Sequence, residues 1–195
     1  MLKLYAKYLE VIDKYLADRF TEQSPFIHCT AGCTDCCEIG EYPFSRLEAE
    51  YLMAGFPKLP IETQKDIKNN IQTLLGEKKT VSGRFLHRCP FLINKKCALY
   101  ERRSITCRAY GLASFEFQNG QKAIKFPECS KLGLNYSEVI TDGTADMEKF
   151  HEYCVSSPVK HSLSLDFFEK ELLKGFNGLE FGEIRPILDW FAKYD

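Results

Sequence analysis

Apolar residues recur at helical spacing along the first twenty positions, where Tyr5, Tyr8, Leu9, Ile12, Tyr15, Leu16 and Phe20 form one stripe. The pattern predicts an amphipathic helix over residues 2–20, ended by Ser24-Pro25. A second helix is expected after Pro43-Phe44. Ser45 and Glu48 have the S-x-x-E spacing of a capping box, Leu47, Tyr51 and Leu52 supply an apolar face, and Gly55 marks a stop. A third is predicted from Ile61 to Leu75, lined by Ile67, Ile71, Leu74 and Leu75, with Gly76 as its C-terminal cap.

The middle of the chain changes period. Residues 89–100 read as two short extended pieces about an Asn94-Lys95-Lys96 turn. From Ser114 to Phe126, Phe115 and Phe117 alternate with polar residues, and Asn119-Gly120 supplies a tight turn, which predicts a β-hairpin. Helical spacing returns near 144–154, 164–174 and 184–194, with Pro186 suited to the first turn of the last segment. The expected fold is α+β: a helix-rich single domain over residues 1–195 with a small β-hairpin region. Residues 27–129 form its cysteine-bearing core, flanked by helices at 1–20 and 140–195, and a cysteine-lined metal site is built from loops.

Composition narrows the picture. A chain of 195 residues can bury one substantial core. The net charge of -1 and the lack of a long basic run point away from nucleic acid as a partner. Lys3, Lys7, Glu10, Asp13, Lys14, Asp18 and Arg19 interrupt any export-signal pattern, and no stretch has the apolar length to span a bilayer. The expected compartment is therefore the cytoplasm, with no membrane partner. Thiols there are mostly reduced, so nine cysteines favour metal ligation over a disulfide framework, and an odd number cannot all pair.

Four of those thiols lie within nine residues, as Cys29-x3-Cys33-x2-Cys36-Cys37. If this block is helical, Cys29, Cys33 and one of the adjacent pair share a face. If it is a turn, Gly32 lets the backbone fold and aim the sulfurs inward. Neighbouring side chains point in different directions, so Cys36 and Cys37 suggest two centres, one larger cluster, or a ligand beside a structural thiol. A second group, Cys89, Cys97 and Cys107, converges only if the chain between them folds back. Arg88, Lys95, Lys96, Arg102, Arg103 and Arg108 surround it, as either thiolate-stabilising cations or a solvated basic loop. His28 and His87 are secondary ligand candidates, and His151 and His161 are read as ordinary residues. Cys154 is read as a buried small hydrophobe.

These stretches together resemble the YkgJ-like cysteine-cluster family, whose pattern is written CxxCxxCC. Cys29-x3-Cys33-x2-Cys36-Cys37 is similar to its N-terminal motif. Cys89-Pro90-Phe91-Leu92, Cys97-Ala98-Leu99-Tyr100-Glu101-Arg102-Arg103 and Cys107-Arg108-Ala109-Tyr110 are similar to its downstream one, with Ser104 where the family usually has proline. The resemblance implies zinc or iron chelation by Cys29, Cys33, Cys36, Cys37, Cys89, Cys97, Cys107 and Cys129, with iron–sulfur ligation and redox activity as forms of it. Two zinc ions, or one four-iron cluster and a mononuclear site, would use eight thiols. A related pattern in flagellin lysine-N-methylases implies methyl transfer as an alternative.

Two further readings compete. Cys29-x3-Cys33-x2-Cys36 matches radical-SAM ligand spacing, but Asp35 stands where an aromatic is usual and no strand–helix series follows. The chain could also be an interaction module with a purely structural zinc, presenting Arg88 to Arg108 to RNA or an acidic partner.

Overall fold

The computed structural model describes residues 1–30, 32–118, 121–141, 144–146, 148–149, 152 and 175–192. Among them the helices are α1 (Leu2–Glu22), α2 (Asp35–Glu38), α3 (Arg46–Met53), α4 (Ile61–Lys78), α5 (Ile105–Ala109) and α6 (Ile187–Phe191). The strands are β1 (Pro43–Ser45), β2 (Leu92–Ile93), β3 (Lys96–Cys97), β4 (Ser114–Gln118), β5 (Gln121–Lys125), β6 (Ile140–Thr141), β7 (Thr144–Ala145) and β8 (Ile184–Pro186). They form separate two-stranded antiparallel ladders, β1 with β8, β2 with β3, β4 with β5 and β6 with β7. The fold is therefore α+β, as the periodicity predicts. The chain divides into two compact units, each assembled from separated segments.

The first unit comprises Met1–Tyr5, Gly32–Cys107 and Gly178–Asp195. Its core is Tyr42, Phe44, Leu52, Phe56, Ile67, Phe91, Leu99, Ile187, Leu188 and Phe191. The predicted capping box is present in both halves: the Ser45 hydroxyl accepts from Glu48 N, and Glu48 Oε2 accepts from Ser45 N at 2.8 Å. α4 lays Ile67 into the core and is tied by Asn70 Nδ2 to the Pro90 carbonyl at 3.1 Å and by an ion pair between Lys78 and Asp189.

Three boundaries differ from expectation. α4 runs through Gly76 to Lys78, so Gly76 lies inside the helix. The apolar stripe stops at Leu75, but the backbone there has no reason to leave the helical region. Ile184–Pro186 is strand and Pro186 the residue before α6, because these positions pair with β1 (Pro43↔Pro186, Phe44↔Arg185, Ser45↔Ile184). The middle turn is the two residues Asn94 and Lys95, with φ of 48° and 57°, while Lys96 pairs with Ile93.

The second unit comprises Ala6–Ala31 and Arg108–Asn177. α1 buries Tyr8, Leu9, Ile12 and Leu16, and Arg108 Nη1 donates to both Asp13 carboxylate oxygens at 2.6 Å. Phe26, Ala113, Tyr136 and Val139 form its apolar cluster. The hairpin expected from Ser114 to Phe126 forms, with five cross-strand pairs from Ser114↔Lys125 to Gln118↔Gln121. Thr144 and Ala145, expected to begin a helix, instead pair with Thr141 and Ile140. The helix expected at 164–174, and Cys154, His151 and His161, lie outside the described residues.

Candidate metal centre

Six of the candidate cysteines, Cys33, Cys36, Cys37, Cys89, Cys97 and Cys107, fall in the first unit. Gly32 at φ 96° makes the turn that the sequence left as one of two choices for the first block; only Asp35–Glu38 is helical. That short helix carries Cys36 and Cys37. A backbone clip then joins the two cysteine groups. Cys89 N donates to the Cys37 carbonyl at 2.8 Å, and Gly40 and His87 exchange two hydrogen bonds, each at 3.0 Å. The β2–β3 hairpin folds back so that Cys97 stands opposite Leu92, and α5 supplies Cys107. Cys89, Cys97 and Cys107 all pack against the apolar core of this unit. These thiols thus sit on short helices and a strand as well as on loops.

The thiols feel one another. Cys36 and Cys37 turn their sulfurs toward each other, 3.9 Å apart, where diverging side chains were expected. That contact, then burial, pushes the Cys36 thiol up strongly. Burial raises Cys89, with Cys107, Cys97 and Cys36 adding to it. Cys97 is raised by burial, against the pull of Arg103. Cys107 is pushed up to about 11 by burial first, with Cys97 and Cys36 contributing. Clustered thiols in an apolar setting resist ionisation unless a cation compensates, so the donor set suits a thiophilic metal. Among the described residues, no group of three or more Cys, His, Asp or Glu side chains gathers closely enough to hold an ion.

Hydrogen bonds reach several sulfurs. Cys89 receives the Phe91 backbone N–H and Cys97 that of Leu99. Ser104 Oγ donates to Cys107 Sγ at 3.3 Å. Cys33 differs, for its own thiol donates to Asp35 Oδ2 at 3.1 Å. The remaining two candidates lie in the second unit. Cys29 is exposed and its sulfur accepts from Asn135 Nδ2 at 3.2 Å, while Cys129 is buried in a 3-10 turn, Glu128–Leu132.

The two described histidines, His28 and His87, each have a polar contact outside the cysteines. His28 pairs with Glu138. His87 is buried, stacks on Phe85 and uses Nδ1 on the Arg88 carbonyl at 2.8 Å. Basic residues also have partners: Arg88 pairs with Glu38, Arg102 donates to the Tyr51 carbonyl and Arg103 stacks on Tyr100. Sequence reasoning missed Tyr42, whose ring lies back over Gly40 and whose hydroxyl is raised by burial and by Cys89, Cys37, Cys107 and Cys36. Its one signal was an aromatic two positions after a glycine, shortly after the cysteine block. It also missed Asn135, a fully buried side chain that accepts from His28 N at 2.7 Å and donates to the Gly111 carbonyl at 2.8 Å. Nothing local to Asn135 announces a partner more than a hundred positions away.

A model of the CxxCxxCC family, described as a putative zinc- or iron-chelating domain, matches residues 28–155. The chain belongs to this family. The CxxCxxCC match takes in all eight candidate ligands, from Cys29 to Cys129. Within it, Cys33-x2-Cys36-Cys37 keeps the spacing of the family's name, whereas three residues rather than two separate Cys29 from Cys33. Zinc or iron chelation is the role that CxxCxxCC membership supports. No curated protein and no solved structure matches the chain. No described helix is long and apolar enough to cross a membrane.

Proposed function

We propose that the chain chelates zinc or iron through thiolates, drawn from Cys29, Cys33, Cys36, Cys37, Cys89, Cys97, Cys107 and Cys129, iron–sulfur ligation included. The observation that carries this reading is the Cys37–Cys89 backbone clip, which ties the segment bearing the 3.9 Å Cys36–Cys37 sulfur pair to the segment bearing Cys89. Two thiolates at about 2.3 Å from one tetrahedral ion would stand about 3.8 Å apart. The Cys36–Cys37 sulfur separation of 3.9 Å is of that size, which supports the adjacent pair meeting one ion. Bound zinc would fix the fold at this point, and bound iron would add electron transfer.

The chain's own contribution in the first unit is to pack Cys89, Cys97 and Cys107 against its apolar core and to give each an N–H or O–H donor. A free basic surface for RNA or an acidic protein has less support, since Arg88, Arg102 and Arg103 are already engaged within the unit. The deciding experiment is element-resolved metal content per chain, with a visible spectrum, on protein purified anaerobically. Zinc or iron at one or more per chain is expected, and broad absorption in the blue would specify an iron–sulfur form. A fully folded preparation free of both metals would sink the reading.

A further inference from the structure

Ser104 is nearly inaccessible to solvent, at 1% exposure. It stands directly before α5, and its single oxygen serves both ends of one residue. Ser104 Oγ accepts the Cys107 backbone N–H at 3.3 Å and donates its own hydrogen to Cys107 Sγ at 3.3 Å. The same turn is pinned from its other side, where Glu48 Oε1 accepts the Ile105 N–H at 2.9 Å. The hydroxyl is therefore held where its proton meets the sulfur. Cys89 and Cys97 take their bonds from the main-chain N–H groups of Phe91 and Leu99, which no side-chain substitution short of proline deletes. Cys107 takes its bond from a side chain.

We propose that Ser104 is a positioning residue for the Cys107 ligand, orienting the sulfur and drawing off part of its charge through an O–H···S hydrogen bond. This rests on the metal-chelation reading above. A thiolate that accepts a hydrogen bond has lower-lying lone pairs, so it donates less charge to its metal, and such outer contacts set affinity and potential.

Cobalt(II) is the probe, because a sulfur-to-cobalt charge-transfer band reports the sulfur lone pairs directly. Wild type, S104A, S104G and S104T are loaded with cobalt(II), titrated against a competing chelator, and melted without metal. S104A and S104G are expected to bind cobalt about tenfold more weakly, because loss of the orienting contact outweighs the sulfur's stronger donation. Both are expected to shift the band to lower energy by the same amount, while S104T keeps affinity and band. The metal-free melting points separate this from capping. Alanine is a much poorer N-cap than glycine, so a purely structural role would lower S104A well below S104G. The proposal is overturned if the band stays at its wild-type energy in both variants, or if affinity falls only in step with the melting point. A wild-type protein without the band, or one whose band survives C107S unchanged, would overturn the chelation reading at Cys107, and this proposal with it.

Discussion

Glu48 has almost no access to water, yet both of its carboxyl oxygens are in use: Oε2 accepts from Ser45 N and Ser45 Oγ, and Oε1 accepts from Ile105 N. Burial raises its pKa above the ordinary 4.5, and the hydrogen bonds from Ser45 and Ile105 offset only part of that. The sign follows. A carboxyl whose folded pKa is raised contributes stability below its unfolded pKa and loses it as pH rises through the folded one. Glu48→Gln is neutral at every pH but turns an NH2 group onto a buried donor. It should cost about 2 kcal/mol near pH 5, with the gap to wild type narrowing as pH rises. Urea unfolding across that range checks this, and a constant gap would refute it. Gly111 gives a second test. At φ 98° an added Cβ would stand 3.0 Å from Asn135 Nδ2 and 3.3 Å from Cys29 Sγ. Gly111→Ala should destabilise by about 2 kcal/mol and raise the rate of Cys29 alkylation, read by peptide mass spectrometry. Of these contacts the Ser45–Glu48 box was legible in the sequence, because three-residue spacing within one turn specifies it. The Glu48–Ile105 and Asn135–Cys29 contacts were not, since they depend on which segments the folded chain brings together.

Elements were read best where one local pattern decides them. α1, α3 and the β4–β5 hairpin lie where periodicity, capping and turn residues agreed. Errors came where a local signal competed with a partner elsewhere. Ile184–Pro186 has helical spacing but is taken by β1, and Gly76 looked like a cap although no chain reversal occurs there. That second error yields a prediction. Gly76 is an exposed interior position of α4, and an added Cβ meets nothing within 4 Å. Gly76→Ala should therefore stabilise the protein by about 1 kcal/mol, through helix propensity alone. Lys95 offers a related gain at a turn. Its φ of 57° is unfavourable for an L residue, and two-residue hairpin turns favour glycine at the second position. Lys95→Gly should raise the melting temperature slightly while leaving Cys97 opposite Leu92; a lower melting point would show that the lysine side chain holds the turn.

At the scale of the molecule, the density of cysteines was legible from the first, and its division between two units was not. The break between them falls after Ala31, inside the first cysteine block. Each unit has an apolar cluster of its own, and in the first the thiols of Cys89, Cys97 and Cys107 pack against that cluster without supplying it. Apolar burial should then keep the metal-free chain folded, with metal acting as a stabilising ligand on top. A ligand that binds only the folded state adds about 4 kcal/mol at a thousandfold excess over its dissociation constant. For a chain of this length that corresponds to roughly 10 °C in melting temperature. Stripping with a chelator under reducing conditions should lower the melting point by that order, leave the far-ultraviolet spectrum at 20 °C (roughly room temperature) largely unchanged, and be reversed by adding the metal back. Cys89→Ser, placed at the clip that joins both cysteine groups, should abolish most of the metal-dependent shift. If the chelator-treated and metal-loaded proteins melt together, these thiols do not anchor a metal that the fold depends on.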